Sequence, residues 1–383
     1  MDRRTFNLGM GTGAVSAMLG GRAVAKPAYS GPNIVIIRFG GGVRRLETID
    51  PKGTYAPNLV NVLAPRGVLI PNLNIAKLNG GNTSHAEGTL NILTGRYTAY
   101  RDAGSKFLDD RLEPTEPTLF EYFREHFDIP SHQVLLINGE DRPQEEFFTY
   151  GMHGHYGINF RSEMLSLHRF KLYKYARQLE ENLLDDAALD SVKIKYKELL
   201  EFDRRTIAPE QSPDITEFWK NWRHHYGDNG LKNPRGDRLL TELSLRAMSE
   251  LRPRLMMVNY QDPDYVHWGN ASHYTRAISV IDEGISRLVA FTDNDPFYRD
   301  NTIYVITPDC GRDENGLMSV PFQHHFNSRA AHEVWALIFG SGIAQGRVID
   351  RHIDQTAIAP TIAALMGFRA NRSEGDILSG IGA

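Results

Sequence analysis

Carboxylate, imidazole, thiol and guanidinium side chains of this chain gather in four short clusters, each beside an apolar run. The first is Gly40-Gly41-Gly42-Val43-Arg44-Arg45-Leu46-Glu47, a turn too rich in glycine to be an ordinary loop. The second is Asp262-Pro263-Asp264-Tyr265-Val266-His267-Trp268-Gly269, and the third is Pro308-Asp309-Cys310-Gly311-Arg312-Asp313. The fourth consists of His324, His325 and His332, ahead of another apolar run. Zinc takes three or four nitrogen, oxygen or sulfur ligands, and no single cluster has the ligand spacing of a zinc finger. A metal centre made from these residues therefore has to be assembled by the fold. Taken singly, each residue has a bland reading: His267 as a satisfied surface imidazole, Asp309 as a strand-end cap. Their joint placement beside apolar runs is what points to a shared centre, since ligands of open α/β sheets collect at the carboxyl ends of strands.

The elements that must position these clusters are short runs rich in β-branched residues: Asn33 to Phe39, Gln133 to Asn138, Leu255 to Asn259, Thr302 to Thr307 and Val334 to Phe339. Each is apolar on both faces, the pattern of a strand in a parallel sheet. Helical patterns lie between many of them, including Leu119 to Phe127, His273 to Phe291 and a final helix with Pro360 early and Gly367 as its stop. The alternation predicts an α/β fold with a doubly wound, mostly parallel sheet flanked by helices. Between about 161 and 248 the texture changes to charged helices such as Asp190 to Phe202, with aromatic residues from Phe218 to Tyr226. This segment reads as a helical insertion covering the carboxyl edge of the sheet or a flank of the site. Trp219, Trp222, His224 and His225 are then lid candidates, against the plainer reading that the tryptophans form the insertion's own core.

The chain has 383 residues, 41% of them hydrophobic, and a formal charge of -4. It is long enough to bury a large core, and it lacks the basic excess of a nucleic-acid binder. The amino terminus carries Arg3-Arg4-Thr5-Phe6, a glycine-diluted apolar stretch and then Ala23-Val24-Ala25. Charged start, apolar middle and small-residue end are the order of a cleavable export signal, here of the twin-arginine type over residues 1–25, with the α/β domain spanning 26–383. The expected location is periplasmic or secreted. No other stretch offers the run of about 18 apolar residues that a membrane span needs. Cys310 is the only cysteine, so it forms no internal disulfide, and an oxidising compartment has to tolerate it as a buried, metal-bound or reactive thiol.

The order of these clusters resembles the alkaline phosphatase superfamily, which includes sulfatases, nucleotide phosphodiesterases and cofactor-independent phosphoglycerate mutases. Asp309-Cys310-Gly311 is similar to that family's Asp-His-Gly metal motif, and Asp264 with His267 to its Asp-and-His pair. His332, upstream of Gly340-Ser341-Gly342-Ile343, resembles the last metal-binding histidine, and the stretch from Gln355 to Ile362 resembles the family's closing helix. Glu87-Gly88-Thr89-Leu90-Asn91-Ile92-Leu93-Thr94-Gly95-Arg96 resembles the segment that follows the nucleophile. Counting back from Thr94-Gly95 with the family spacing lands on His85, whereas the hydroxyls are Ser84 and Thr83. Ser84 is preferred as nucleophile, with His85 as a ligand or proton carrier and helix capping by Thr83 or Ser84 as the structural alternative.

The resemblance implies a metal-dependent hydrolase of phosphate or sulfate esters that works through a hydroxyl nucleophile and a covalent intermediate. It also implies a divalent cofactor, zinc, as one or two ions. One ion is expected at Asp264, His267 and His332, with Asp262 as the alternative carboxylate, and the other at Asp309 and Cys310. Arg44, Arg45 and Arg312, with His324 and His325, are candidates for gripping the ester. Ser84-His85-Ala86-Glu87-Gly88 lacks the proline and arginine of formylglycine sulfatases, which favours phosphate esters of small molecules, glycans or lipids. Two departures fall on the second metal: Gly41 stands where an Asp-Gly-Val-Arg motif has its aspartate, and Cys310 replaces a histidine. They keep two rivals open, a non-catalytic envelope binding protein on the same fold and a phospho- or sulfotransferase.

Overall fold

The computed structural model describes residues 26–76, 82–102, 112–139, 147–151, 154, 156–181, 183–202, 212–231, 236–267, 270–314, 323–324 and 328–383. The export segment 1–25, Trp268, Gly269 and His325 lie outside the described residues.

In chain order the strands are β1 (Asn33–Phe39), β2 (Gly67–Asn74), β3 (Tyr100–Asp102), β4 (Leu112–Pro114), β5 (Val134–Ile137) and β6 (Glu163–Leu165). They continue with β7 (Leu255–Tyr260), β8 (Thr302–Thr307), β9 (Glu333–Gly340), β10 (Arg347–Val348) and β11 (Ile353–Asp354). The helices are α1 (Arg45–Thr48), α2 (His85–Thr94), α3 (Leu119–Phe127), α4 (Leu167–Glu181) and α5 (Asp186–Phe202). After them come α6 (Pro213–Tyr226), α7 (Asp237–Glu250), α8 (Ala271–Asn294), α9 (Arg329–His332) and α10 (Ile358–Leu365). Among the described residues, one nine-stranded sheet runs β10-β2-β9-β8-β1-β7-β5-β6, with β11 paired to β2.

β1 pairs in parallel with β7 and β8, and β5 in parallel with β6 and β7. Side chains alternate along β1 as the pleat requires. Ile34 and Ile36 join a core that includes residues of α2, α3 and α10, while Val35, Ile37 and Phe39 join one that includes residues of α6, α7 and α8. Helices therefore cover both faces, which is the doubly wound α/β arrangement expected.

One strand corrects the parallel expectation. β9 is antiparallel to both β2 and β8. An apolar strand reads the same in either direction, so sequence pattern does not reveal the reversal. Its consequence is functional: the start of β9, and the histidines before it, lie at the edge where β1, β7 and β8 end. A parallel β9 would put them at the opposite edge.

The charged segment holds α4, α5, α6 and α7, but Glu163–Leu165 within it is strand β6 at the sheet margin. Trp219 and Trp222 are fully buried in the α6–α7–α8 core, with Trp219 packed on Phe170 and Phe218. The plainer reading of these tryptophans is the observed one.

Candidate metal centre

β1 ends in Phe39 and turns at once through glycines, because the turn is too tight for side chains. Gly41 has φ +86°, and a Cβ there would stand 2.4 Å from the Asp264 amide nitrogen. Gly42 has φ +68° and faces Cys310 Sγ and His324 Cδ2, each 3.3 Å from where its Cβ would be. An aspartate at position 41 does not fit this backbone, because the loop is drawn against the Asp264 amide. Arg312 clamps that loop: its buried guanidinium donates to the carbonyls of Gly42 at 2.7 Å, Val266 at 2.6 Å, Pro263 at 3.0 Å and Gly41. Glu47 is paired with Arg44, and Arg45 donates to the Val334 and Leu73 carbonyls and pairs with Glu333.

α2 begins where the nucleophile was sought. Ser84 is its N-cap, accepting from the Glu87 amide at 3.2 Å, while its own hydroxyl donates to Glu87 Oε2 at 2.7 Å. The Thr83 hydroxyl donates to the His324 carbonyl. The side chain that α2 places at the junction of the clusters is His85, the residue on which the family spacing lands.

Three imidazoles converge on one oxygen. His85 Nε2 lies 2.6 Å, His267 Nε2 2.9 Å and His324 Nε2 3.4 Å from Asp264 Oδ1. The far nitrogens of two of these rings have partners of their own. His324 Nδ1 is 2.9 Å from the Thr83 carbonyl, which only accepts, so this nitrogen carries the proton and Nε2 faces Asp264. His267 Nδ1 is 3.0 Å from Gln323 Oε1. Partners behind an imidazole fix its tautomer and aim its other nitrogen, as they do for metal-ligating histidines.

On its other side, His85 Nδ1 is 2.9 Å from Asp309 Oδ2 and 3.7 Å from Cys310 Sγ. Asp309 also accepts from the Cys310 amide at 2.8 Å, and Arg38, buried on β1, brings Nε to 3.9 Å of its Oδ2. Burial works to raise the Asp309 pKa, but the His85 charge and hydrogen bond, Arg38 and the Cys310 amide overcome it and hold the carboxyl below its ordinary range. Burial works to lower that of His85, but Asp309 and Cys310 outweigh it and the imidazolium is favoured. Burial pushes the Cys310 thiol up to about 11, and Asp309 adds to the rise. Among the described residues, two groups therefore have donor atoms mutually within 4.8 Å: His85, Asp264 and His324, and His85, Asp309 and Cys310.

The sequence candidates thus divide. Asp264, His267, His324, His85, Asp309 and Cys310 come together. His332 instead places Nδ1 at 2.9 Å from the Ile75 carbonyl and belongs to neither group, whereas His324, the earlier histidine of the same cluster, stands beside Asp264. Asp262 is turned to the start of α7, where its Oδ1 accepts from the Asp237 amide at 3.2 Å. Gln323 and Arg38 went unnoticed in the sequence. Arg38 is the one charge inside a strand otherwise apolar from Ile34 to Phe39, and that interruption was the available signal.

The fold is alkaline phosphatase-like. The chain is similar in structure to a sulfatase from Pseudoalteromonas sp. (TM-score 0.51, 14% identity, 91% of this chain and 71% of that one). It is similar to a 2-O GAG sulfatase (TM-score 0.54, 14% identity, 91% and 74%) and to a phosphonate monoester hydrolase from Silicibacter pomeroyi (TM-score 0.50, 15% identity, 91% and 76%). No family model and no curated protein matches its sequence, so the likeness is one of fold. Among the described residues, no helix is long and apolar enough to cross a membrane.

Proposed function

We propose that this chain is a metal-dependent hydrolase of phosphate or sulfate esters, exported by a twin-arginine route. The observation that supports this reading most is the convergence of three imidazole nitrogens on Asp264 Oδ1. With its proton on Nδ1, a neutral His324 turns an unprotonated Nε2 toward the carboxylate, two acceptors facing each other, whereas a divalent cation beside Asp264 takes that nitrogen and the other imidazole nitrogens as ligands. Asp264, His85 and His324 would hold that ion, with His267 beside them. It would supply Lewis-acid polarisation of the ester and of water, and an N/O donor set of this kind suits zinc.

The residues around it position and exclude. The Thr83 carbonyl and Gln323 orient the rings, and Arg312 fixes the glycine turn against Asp264. The Thr83 hydroxyl is tied to the His324 carbonyl and Ser84 caps α2, and in this reading water is the attacking group. A second reading also has an observation in its favour: Ser84 Oγ donates to Glu87 Oε2 at 2.7 Å, so a seryl nucleophile would have a base in place. Export rests on the paired arginines and the small-residue end of residues 1–25.

The test is metal analysis of the purified protein together with turnover of aryl phosphate monoesters, diesters, phosphonate monoesters and sulfate esters. Asp264→Asn is expected to lower bound metal and turnover together. Metal bound without turnover of any ester would identify a binding protein instead, and products carrying an added alcohol would identify a transferase.

A further inference from the structure

The two donor groups are not separate sites, because they share His85. Its Nε2 faces Asp264 and His324, and its Nδ1 faces Asp309 and Cys310. We propose that His85 is a bridging imidazolate holding two divalent ions, one on each ring nitrogen, in a histidine-bridged dinuclear centre whose second ion is bound by Asp309 and the Cys310 thiolate. This rests on the reading of the Asp264 side as a metal site.

Three observations carry it. The first is that the donor sets suit the same kind of ion: carboxylate and imidazoles on one side, carboxylate, imidazole and thiol on the other. The second is spacing. With zinc–sulfur near 2.3 Å and zinc–nitrogen near 2.0 Å, a tetrahedral edge between the two ligands is about 3.5 Å. Cys310 Sγ and His85 Nδ1 are 3.7 Å apart, too far for a strong hydrogen bond and close to that edge. The third is close approach. A Cβ at Gly42 would stand 3.3 Å from both Cys310 Sγ and His324 Cδ2 and 2.9 Å from the Gly311 carbonyl oxygen, so only glycine lets the turn bring these donors of the two groups together. Arg38 approaches Asp309 through Nε and sends Nη1 to Thr89 at 2.8 Å. Its charge offsets Asp309 without taking the place between Cys310 and His85.

Bridging requires His85 to release both ring protons and Cys310 its thiol proton to solvent, so two ions enter as three protons leave. The short contacts of His85 to Asp264 and Asp309 are then hydrogen bonds of the metal-free protein, which give way to metal–ligand bonds.

The experiment loads metal-free protein with Co(II) and measures stoichiometry by mass spectrometry of the metal, the thiolate-to-cobalt absorption band and the electron paramagnetic resonance spectrum. Wild type is expected to bind two ions, show the band and give a spectrum of two coupled ions. Cys310→Ser should lose the band and one ion, and His324→Gln should lose the other ion and keep the band. His85→Gln should weaken both sites at least tenfold. If that variant does not fold, the coupling in wild type decides alone, because two unbridged ions give the sum of two independent signals. One ion without the band, or two uncoupled ions, overturns the bridge while leaving the Asp264 site standing. No bound ion overturns the bridge and the metal reading together.

Discussion

The carboxyl edge of the sheet and the helical layer of α4, α5 and α6 bury opposite kinds of side chain. At the edge, Arg38, Thr83, His85, Asp309, Arg312 and His324 are all buried, each held by polar partners from another element. In the helical layer the buried groups are Leu167, Phe170, Val192, Ile215, Phe218, Trp219 and Trp222, with His168 the one buried titratable side chain among the described residues of these helices. The ion pairs there, such as Arg177–Glu180, Lys193–Asp190 and Lys220–Glu217, join exposed residues three apart on one helix. Such pairs contribute about 0–1 kcal/mol each. Burying a charge is costly unless it is paired and hydrogen-bonded, and Arg38, His85, Asp309 and Arg312 at the edge each have such partners. The contrast is one of support: mainly apolar burial holds the helical layer, whereas the edge is held by buried polar groups that partner one another across elements.

The largest expected effect breaks the scaffold without touching the site. Trp219→Ala empties a fully buried position among Phe170, Phe218 and Trp222 and should cost about 3–5 kcal/mol in urea unfolding. Metal bound per folded chain should stay unchanged. A loss of metal in that variant would mean that the helical layer, contrary to the contrast, helps to build the centre.

The second prediction joins the two properties at one residue. Gly88 lies one turn into α2, and a Cβ there would stand 2.1 Å from the Asp309 carbonyl oxygen. Both atoms belong to rigid backbone, so Gly88→Ala has to push α2 away from β8, at about 3 kcal/mol. His85 rides on that helix, so bound metal should fall as well, which Trp219→Ala should not cause.

Next comes the clamp on the glycine turn. Arg312→Lys keeps a charge but loses the planar fork that reaches four carbonyls, two of them in Gly41 and Gly42. It should cost about 2 kcal/mol, read by chemical unfolding, because buried carbonyls lose partners. An unchanged unfolding midpoint would show that the turn is held by its own backbone instead.

These residues also show how far the sequence could be read. β1, β8 and α3 were legible to the residue, because a short run rich in β-branched residues and a helical pattern of apolar residues are local signals. β2 was not: Gly67–Asn74 contains Pro71 and two asparagines and is only half buried, so it lacks the pattern of a core strand. The direction of β9 was illegible because direction leaves no mark on an apolar run. The histidines before β9 divide in the same region: His324 joins the cluster, and His332 faces the Ile75 carbonyl. Asp264, His267, Asp309 and Cys310 could be picked out as candidates because motif spacing is local, and the structure brings them together. The role of Arg38 was not, because a buried arginine becomes intelligible only once Asp309 is seen beside it.

The smallest expected effect tests Ser84, the N-cap of α2 and the preferred nucleophile of the sequence. Ser84→Ala removes the N-cap of α2 and the hydroxyl bonded to Glu87, and it should cost about 1 kcal/mol, as loss of a serine cap does. His85 remains at the first position of the helix, where the carboxylates on both sides hold it, so metal content should be unchanged. If water attacks the ester, turnover should fall by no more than the small amount that a loosened helix start explains. A seryl nucleophile predicts something different, loss of turnover by orders of magnitude with metal retained and a trapped covalent adduct in wild type but not in the variant. Thermal unfolding, metal analysis and intact-mass measurement on one pair of proteins therefore distinguish a capping serine from a reactive one. Because the expected stability change is small, a large loss of turnover could not be assigned to misfolding.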